Sequence, residues 1–209
     1  MLDDPAFIRM IAAAPDDDAP RLVYADYLEE TGDPAKATRA EFIRVQVERA
    51  RLVPDTPRWT ELWHRETALL GWAKRWRQEL PAIEGVQYGG FVRGFIDQIQ
   101  ASTTALYRNF QVILDLIPLR ALTLSQLDAR TFRKLAQSTE FTQIEELQFD
   151  SSSRLSSALT KALVKRGPWP RLRRLRLPER TTSGSNVLLS SPPYELIKLS
   201  EAFGSRLQF

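Results

Sequence analysis

The sequence predicts an α/β fold: an N-terminal helical domain packed on a short, irregular stack of strand-and-helix repeats. Three observations predict it. Helix start and stop signals recur three times before Pro54, one spacing of apolar residues recurs three times from Leu119 onward, and Gly89-Gly90 marks the change between the two patterns. The expected domains are a helical one over 1–53, a Trp-rich connecting helix over 54–88, and a repeat segment with a C-terminal cap over 89–209. With 209 residues, 43% hydrophobic and 26% charged, the chain has an ordinary globular composition. A chain of this length buries roughly 70% of the surface its unfolded form exposes, so its core needs no staples.

The first three helices are each punctuated. Asp4 before Pro5 is an N-cap followed by proline at the first helical position, and Phe7, Ile8 and Ile11 share one face until Pro15. Asp17 or Asp18 caps the second helix, Pro20 stands in its first turn, Leu22, Val23, Tyr24, Tyr27 and Leu28 form its apolar side, and Gly32 occupies the left-handed position after its end. Asp33-Pro34 repeats the start signal. The third helix carries Phe42, Ile43, Val45 and Val47 and runs to about Leu52, where Val53-Pro54 stops it.

These residues also resemble a known family. Phe7-Ile8, the run from Pro15 through Arg21-Leu22-Val23-Tyr24-Ala25-Asp26-Tyr27-Leu28 to Asp33, and Arg39-Ala40-Glu41-Phe42-Ile43-Arg44-Val45-Gln46 look like the bacterial repeat-companion domain. Tyr27 stands where that family commonly has Trp. The resemblance covers about a quarter of the chain and implies a helical domain accompanying repeats, often leucine-rich ones, with no assigned activity. It is compatible with a structural reading of the acidic motif, in which Asp17, Asp18 and Asp33 cap helices and Asp26 pairs with Arg21 or Arg44.

A longer helix follows over Arg58 to Leu80, with Trp59, Leu62, Trp63, Leu69, Leu70, Ala73, Trp76 and Leu80 at spacings of three and four. Arg58, Arg65, Lys74, Arg75 and Arg77 interleave with the rings. The combination suits a core-facing stripe with a solvated basic back, or stacking on single-stranded nucleic acid.

The repeat is carried by Leu119, Leu122 and Leu124, then Ile144, Leu147 and Phe149, then Leu172, Leu175 and Leu177, with a poorer copy at Val92 and Phe95. The spacing apolar-x-x-apolar-x-apolar returns after 25 and then 28 residues, and amphipathic stretches lie between the copies. The segment from about Phe91 to Arg180 thus resembles leucine-rich repeats, which implies a solenoid of parallel strands. Leu127, Ser152 and Arg180 stand where that motif has Asn, so the stack is expected to be irregular. A helix around Tyr194 to Phe203 and a last strand at Arg206 to Phe209 would close it.

Charge is unevenly placed although the net is only +3. The segment Asp3 to Asp33 holds nine acidic residues against Arg9 and Arg21, and Lys161 to Arg180 holds eight basic residues against Glu179. Strand alternation would put Thr123, then Glu146, Gln148 and Asp150, then Arg174 and Arg176 on one open face. There they form a partner-binding surface, or Glu146 and Asp150 simply pair with the arginines. Val187, Leu188 and Leu189, in the polar stretch Arg180 to Pro193, add an apolar element for a partner.

Catalytic signals are absent from the sequence. There is no Cys, His64 is the single imidazole, and no nucleotide-binding, nucleophile-elbow or metal-ligand motif occurs. The resulting expectation is a non-enzymatic protein-interaction module without cofactor, an adaptor or accessory subunit of a larger bacterial complex, cytoplasmic and not in the membrane. Its partner is another protein. The alternative is an accessory protein that binds nucleic acid through Lys161, Lys165, Arg166, Arg171 and Arg173.

Overall fold

The computed structural model describes residues 3–150, 157–165, 169–177 and 194–208. It is a mixed α/β structure with a mostly parallel sheet. Two compact units make it up: Met1–Ala82 with Tyr88–Asp97 and Gln111–Pro118, and Ile83–Gln87 with Gln98–Phe110 and Leu119–Phe209.

In the first unit, local capping sets the helix starts. Helix α1 (Pro5–Ala13) begins where the Asp4 carboxylate accepts the N–H of Ala6 at 2.7 Å. Asp17 accepts the N–H of Ala19 at 2.9 Å to start α2 (Ala19–Glu30), and Asp33 accepts that of Ala35 at 2.8 Å to start α3 (Pro34–Ala50). Gly32, at φ +71°, makes the left-handed turn between α2 and α3. Asp18 does not cap. Its backbone is already helical and its side chain instead meets Arg51 at 2.9 Å and Arg93 at 3.1 Å.

Helix α4 (Pro57–Glu79) packs on α3, so the Trp-rich segment belongs to the first unit's own core. Leu69, Ala73 and Trp76 bury against Phe42. The expected stripe is only partly realised: Trp63 and Leu70 are 45% and 54% exposed. Leu62 and Leu69 already occupy the inner face, and a residue one position further along a helix is turned by about 100°, which sends Trp63 and Leu70 outward.

The expected poorer repeat copy at Val92 and Phe95 is a different structure. Strands β2 (Phe91–Val92) and β3 (Phe95–Ile96) form an antiparallel hairpin, pairing Phe91 with Ile96 and Val92 with Phe95. Arg93 and Gly94 turn it at φ +48° and +89°, the positive-φ pair that suits tight hairpins. The N–H of Gly94 donates to the Gln46 side chain at 2.7 Å, and a Cβ at Gly94 would lie 2.7 Å from Ile43 Cγ1.

The second unit repeats strand and helix. Its elements are β1 (Val86–Tyr88), which both units share, then β4 (Gln98–Ser102), α5 (Thr103–Leu116), whose last turns fall to the first unit, β5 (Ala121–Ser125) and α6 (Ala129–Ala136). After these come β6 (Glu146–Phe149), α7 (Ser157–Lys165), β7 (Arg174–Arg176), α8 (Tyr194–Phe203) and β8 (Leu207–Gln208). The six strands lie in the order β1-β4-β5-β6-β7-β8, and each neighbouring pair from β4 onward is parallel. Ile99, Leu122, Leu147, Leu175 and Leu207 share one register position across the sheet. The copy that precedes Leu119 is therefore Ile96, Ile99 and Ala101.

Behind the sheet the core is aromatic. Phe132, Phe141, Phe149 and Trp169 are buried, with ring centroids 5.6–6.1 Å apart along the chain of contacts from Trp169 through Phe141 and Phe132 to Phe149. Thr103, fully buried, accepts the N–H of Asp128 at 2.9 Å and donates to the Gln126 carbonyl at 3.0 Å, tying the turn after β4 to the turn after β5. Leu127, between these two residues, brings no side-chain hydrogen-bonding group to the turn.

Candidate functional site

The second unit's sheet has two unlike faces. Along β4, β5, β6 and β7 buried residues alternate with exposed or half-buried ones, because successive side chains of a strand point to opposite faces. Ile99, Ala101, Leu122, Leu124, Leu147, Phe149 and Leu175 are the buried set. The other set is polar apart from Ala121. Gln98, Ala121, Glu146 and Arg174 form one row across the strands, and Gln100, Thr123, Gln148, Arg176 and Gln208 form the next.

Parallel sheets are ordinarily covered on both faces and read as continuous apolar runs. This one alternates instead. Its outer rows offer amide, hydroxyl, carboxylate and guanidinium groups on a ruled surface, with strands about 4.8 Å apart and same-face residues about 6.6 Å apart along each strand.

Within that surface the two arginines differ. Arg174 pairs with Glu146 at 2.8 Å, an exposed bridge of small energetic consequence. Arg176 is exposed, and its neighbours at the same register are the neutral Gln148 and Gln208. Among the described residues Arg176 has no carboxylate partner, and its guanidinium carries five donors in a planar fork. Asp150 follows β6, is half-buried, and its N–H donates to the Leu124 carbonyl at 3.0 Å.

Thr123, Glu146, Gln148, Arg174 and Arg176 therefore share one face. Gln98, Gln100 and Gln208 belong with them and were missed by sequence reasoning; the spacing of Ile96, Ile99 and Ala101 is the signal that finds β4. Val187, Leu188, Leu189 and Arg166 lie outside the described residues.

The nucleic-acid set is divided between two segments of the second unit. Lys161 and Lys165 are exposed on α7, whereas Arg171 and Arg173 lie in the segment leading into β7. Arg173 stands 3.8 Å from Glu145, which is buried and also 3.6 Å from Arg120.

His64 is exposed on α4 and borders an open groove in the first unit. Arg44, Arg58 and Arg65 along that groove are each bonded to carboxylates: Asp26 and Glu29, Glu48 and Glu61, and Glu41. Among the described residues no three His, Cys, Asp or Glu side chains gather as a metal site would, and no described helix is long and apolar enough to cross a membrane. Compared with known proteins, the chain matches no family model, no curated protein and no solved structure.

Proposed function

We propose that the chain is a non-enzymatic protein-interaction module, an adaptor or accessory subunit of a larger cytoplasmic bacterial complex. Its second unit is read as a short leucine-rich-repeat-like solenoid, and its first as a repeat-companion domain. The observation that carries this reading is the polar face that the parallel sheet presents among the described residues, where Gln100, Thr123, Gln148, Arg176 and Gln208 form one row and Glu146 and Arg174 stand in the row beside it. Repeat folds use such extended faces to hold partners, and an exposed Arg amid neutral polar neighbours is a frequent hot spot.

The test is affinity capture from the native cell, followed by quantitative binding of whatever protein is retained. Arg176→Ala is expected to lower the affinity at least tenfold, as the loss of a hot spot of about 2 kcal/mol would. Arg171→Ala, half-buried before β7, is expected to change it little. Retention that is indifferent to Arg176 and to Gln148→Ala would remove the sheet face from the account.

A further inference from the structure

The helices of the second unit also carry a set of exposed cations. Arg108 on α5, Arg130, Arg133 and Lys134 on α6, and Lys161 and Lys165 on α7 are all exposed. No Asp or Glu occurs within α6, within α7, or in α5 before Asp115.

The three helices follow three neighbouring parallel strands in the chain, α5 after β4, α6 after β5 and α7 after β6. Helices α6 and α7 pack directly on each other, and the Lys134 ammonium sits 5.6 Å from the centre of the exposed Tyr107 ring of α5. Their inner sides are taken up by Leu106, Phe132, Leu135, Leu159 and Leu163, all buried, so the six cations face away from the sheet. Among the described residues the acids on or beside these helices are Asp115 near the end of α5, Asp128, occupied as the cap of α6, Glu140 beyond its end, and Glu201 on α8, which packs on α7.

We propose that this helical surface binds the sugar-phosphate backbone of a nucleic-acid duplex, independently of the sheet face and of any partner held there. Packed helices such as α6 and α7 lie about 8–10 Å apart, and with α5 reached through Lys134 and Tyr107 the cations spread over roughly 20 Å, a length of duplex that carries about twelve phosphate charges. Charge complementarity is the argument for a polyanion. Chemistry of the exposed apolar groups decides which kind: Tyr107, Val112 and Val164 are the large ones on these helices, and they lack the Trp, Phe and Leu anchors with which amphipathic helices enter a lipid surface. The cationic run of the sequence is thus divided, with Lys161 and Lys165 on this surface and Arg174 and Arg176 on the other.

Fluorescence anisotropy of the full chain with labelled DNA and RNA duplexes of one sequence tests the proposal. Binding is expected to weaken along a straight line of log affinity against log salt between about 50 and 200 mM, with a slope of up to about −5 if all six cations meet phosphates of B-form DNA. The triple variant R130E/R133E/K134E is expected to bind at least about 100-fold more weakly with a correspondingly shallower slope. Arg174→Ala with Arg176→Ala is expected to leave duplex binding unchanged. A preference for the RNA or the DNA duplex tells which nucleic acid the surface suits.

Should the triple variant fail to fold, Lys161→Gln with Lys165→Gln on a different helix gives the same reading with smaller losses. Three outcomes overturn the proposal: no duplex binding by the unaltered chain, equal losses from the sheet-face variants, or binding to phosphatidylserine vesicles without binding to either duplex. Because the partner test rests on Arg176 and this one on α6 and α7, failure of one leaves the other standing.

Discussion

Arg21 and Arg39 are the largest side chains fully buried among the described residues, and aspartates of the acidic N-terminal segment meet both. Arg39 donates to Asp3 at 2.9 Å, and its guanidinium lies 4.9–5.2 Å from the ring centres of Trp76, Phe91 and Phe95. Tyr24 also donates to Asp3, and burial together with that carboxylate's charge pushes its phenol well above the ordinary value. Asp18 gathers Arg21 at 4.0 Å, Arg51 and Arg93. A buried cation stripped of its carboxylate is costly, whereas a lost helix cap is a smaller loss. Asp17→Ala should therefore lower stability by about 1 kcal/mol, and Asp3→Ala by about 3 kcal/mol or more, read from urea unfolding. Asp18→Ala should also cost more than Asp17→Ala. Equal costs for all three would mean that the acidic run acts only through capping.

Elements were legible in the sequence wherever their signals are local. Asp4, Asp17 and Asp33 with their prolines set helix starts, and Gly32 set a stop, because a cap depends on two or three adjacent residues. The hairpin was not legible. Phe91, Val92 and Phe95 imitate the spacing of a repeat, while the true strand hides behind Ala101, where the later copies have Leu124, Phe149 and Leu177. What makes the hairpin is a long-range fit: Gly94 lies against the backbone and side chain of Ile43, and Gln46, 5% exposed, bonds both Gly94 and Glu66. Gly94→Ala meets both a positive φ and a sub-contact distance, so it should destabilise by at least about 1–3 kcal/mol. Gly90→Ala, where a Cβ meets open space, serves as its control. A melting temperature unchanged by the Gly94 substitution would contradict the close approach. The sheet-face residues Glu146, Gln148, Arg174 and Arg176 could be read from a period of two, but the cations of α5, α6 and α7 are scattered along the chain from Arg108 to Lys165 with no common period.

On the scale of the whole molecule, one carboxylate in each unit, Glu48 and Asp128, holds its proton less tightly when folded. Glu48 is pushed below its ordinary range chiefly by hydrogen bonding from Arg58, and Asp128 by hydrogen bonding from Thr131. A carboxylate whose folded value is depressed contributes stability that is present above its unfolded value, about 4, and is lost as pH falls through the folded one. Urea midpoints should therefore hold between pH 7 and about 5 and decline below about 4.5, with a shallower decline in Glu48→Gln. A decline of the same steepness in that variant would locate the acid sensitivity in other carboxylates. The parallel register also has a mechanical meaning. From β4 to β8 each strand bonds to the one that follows it in sequence, with a helix as the tether. A pull on the two ends of this unit would load one inter-strand ladder at a time, beginning at a terminal strand, rather than shearing all of them together. The unit would extend in small steps under low force, as an unwinding spring does.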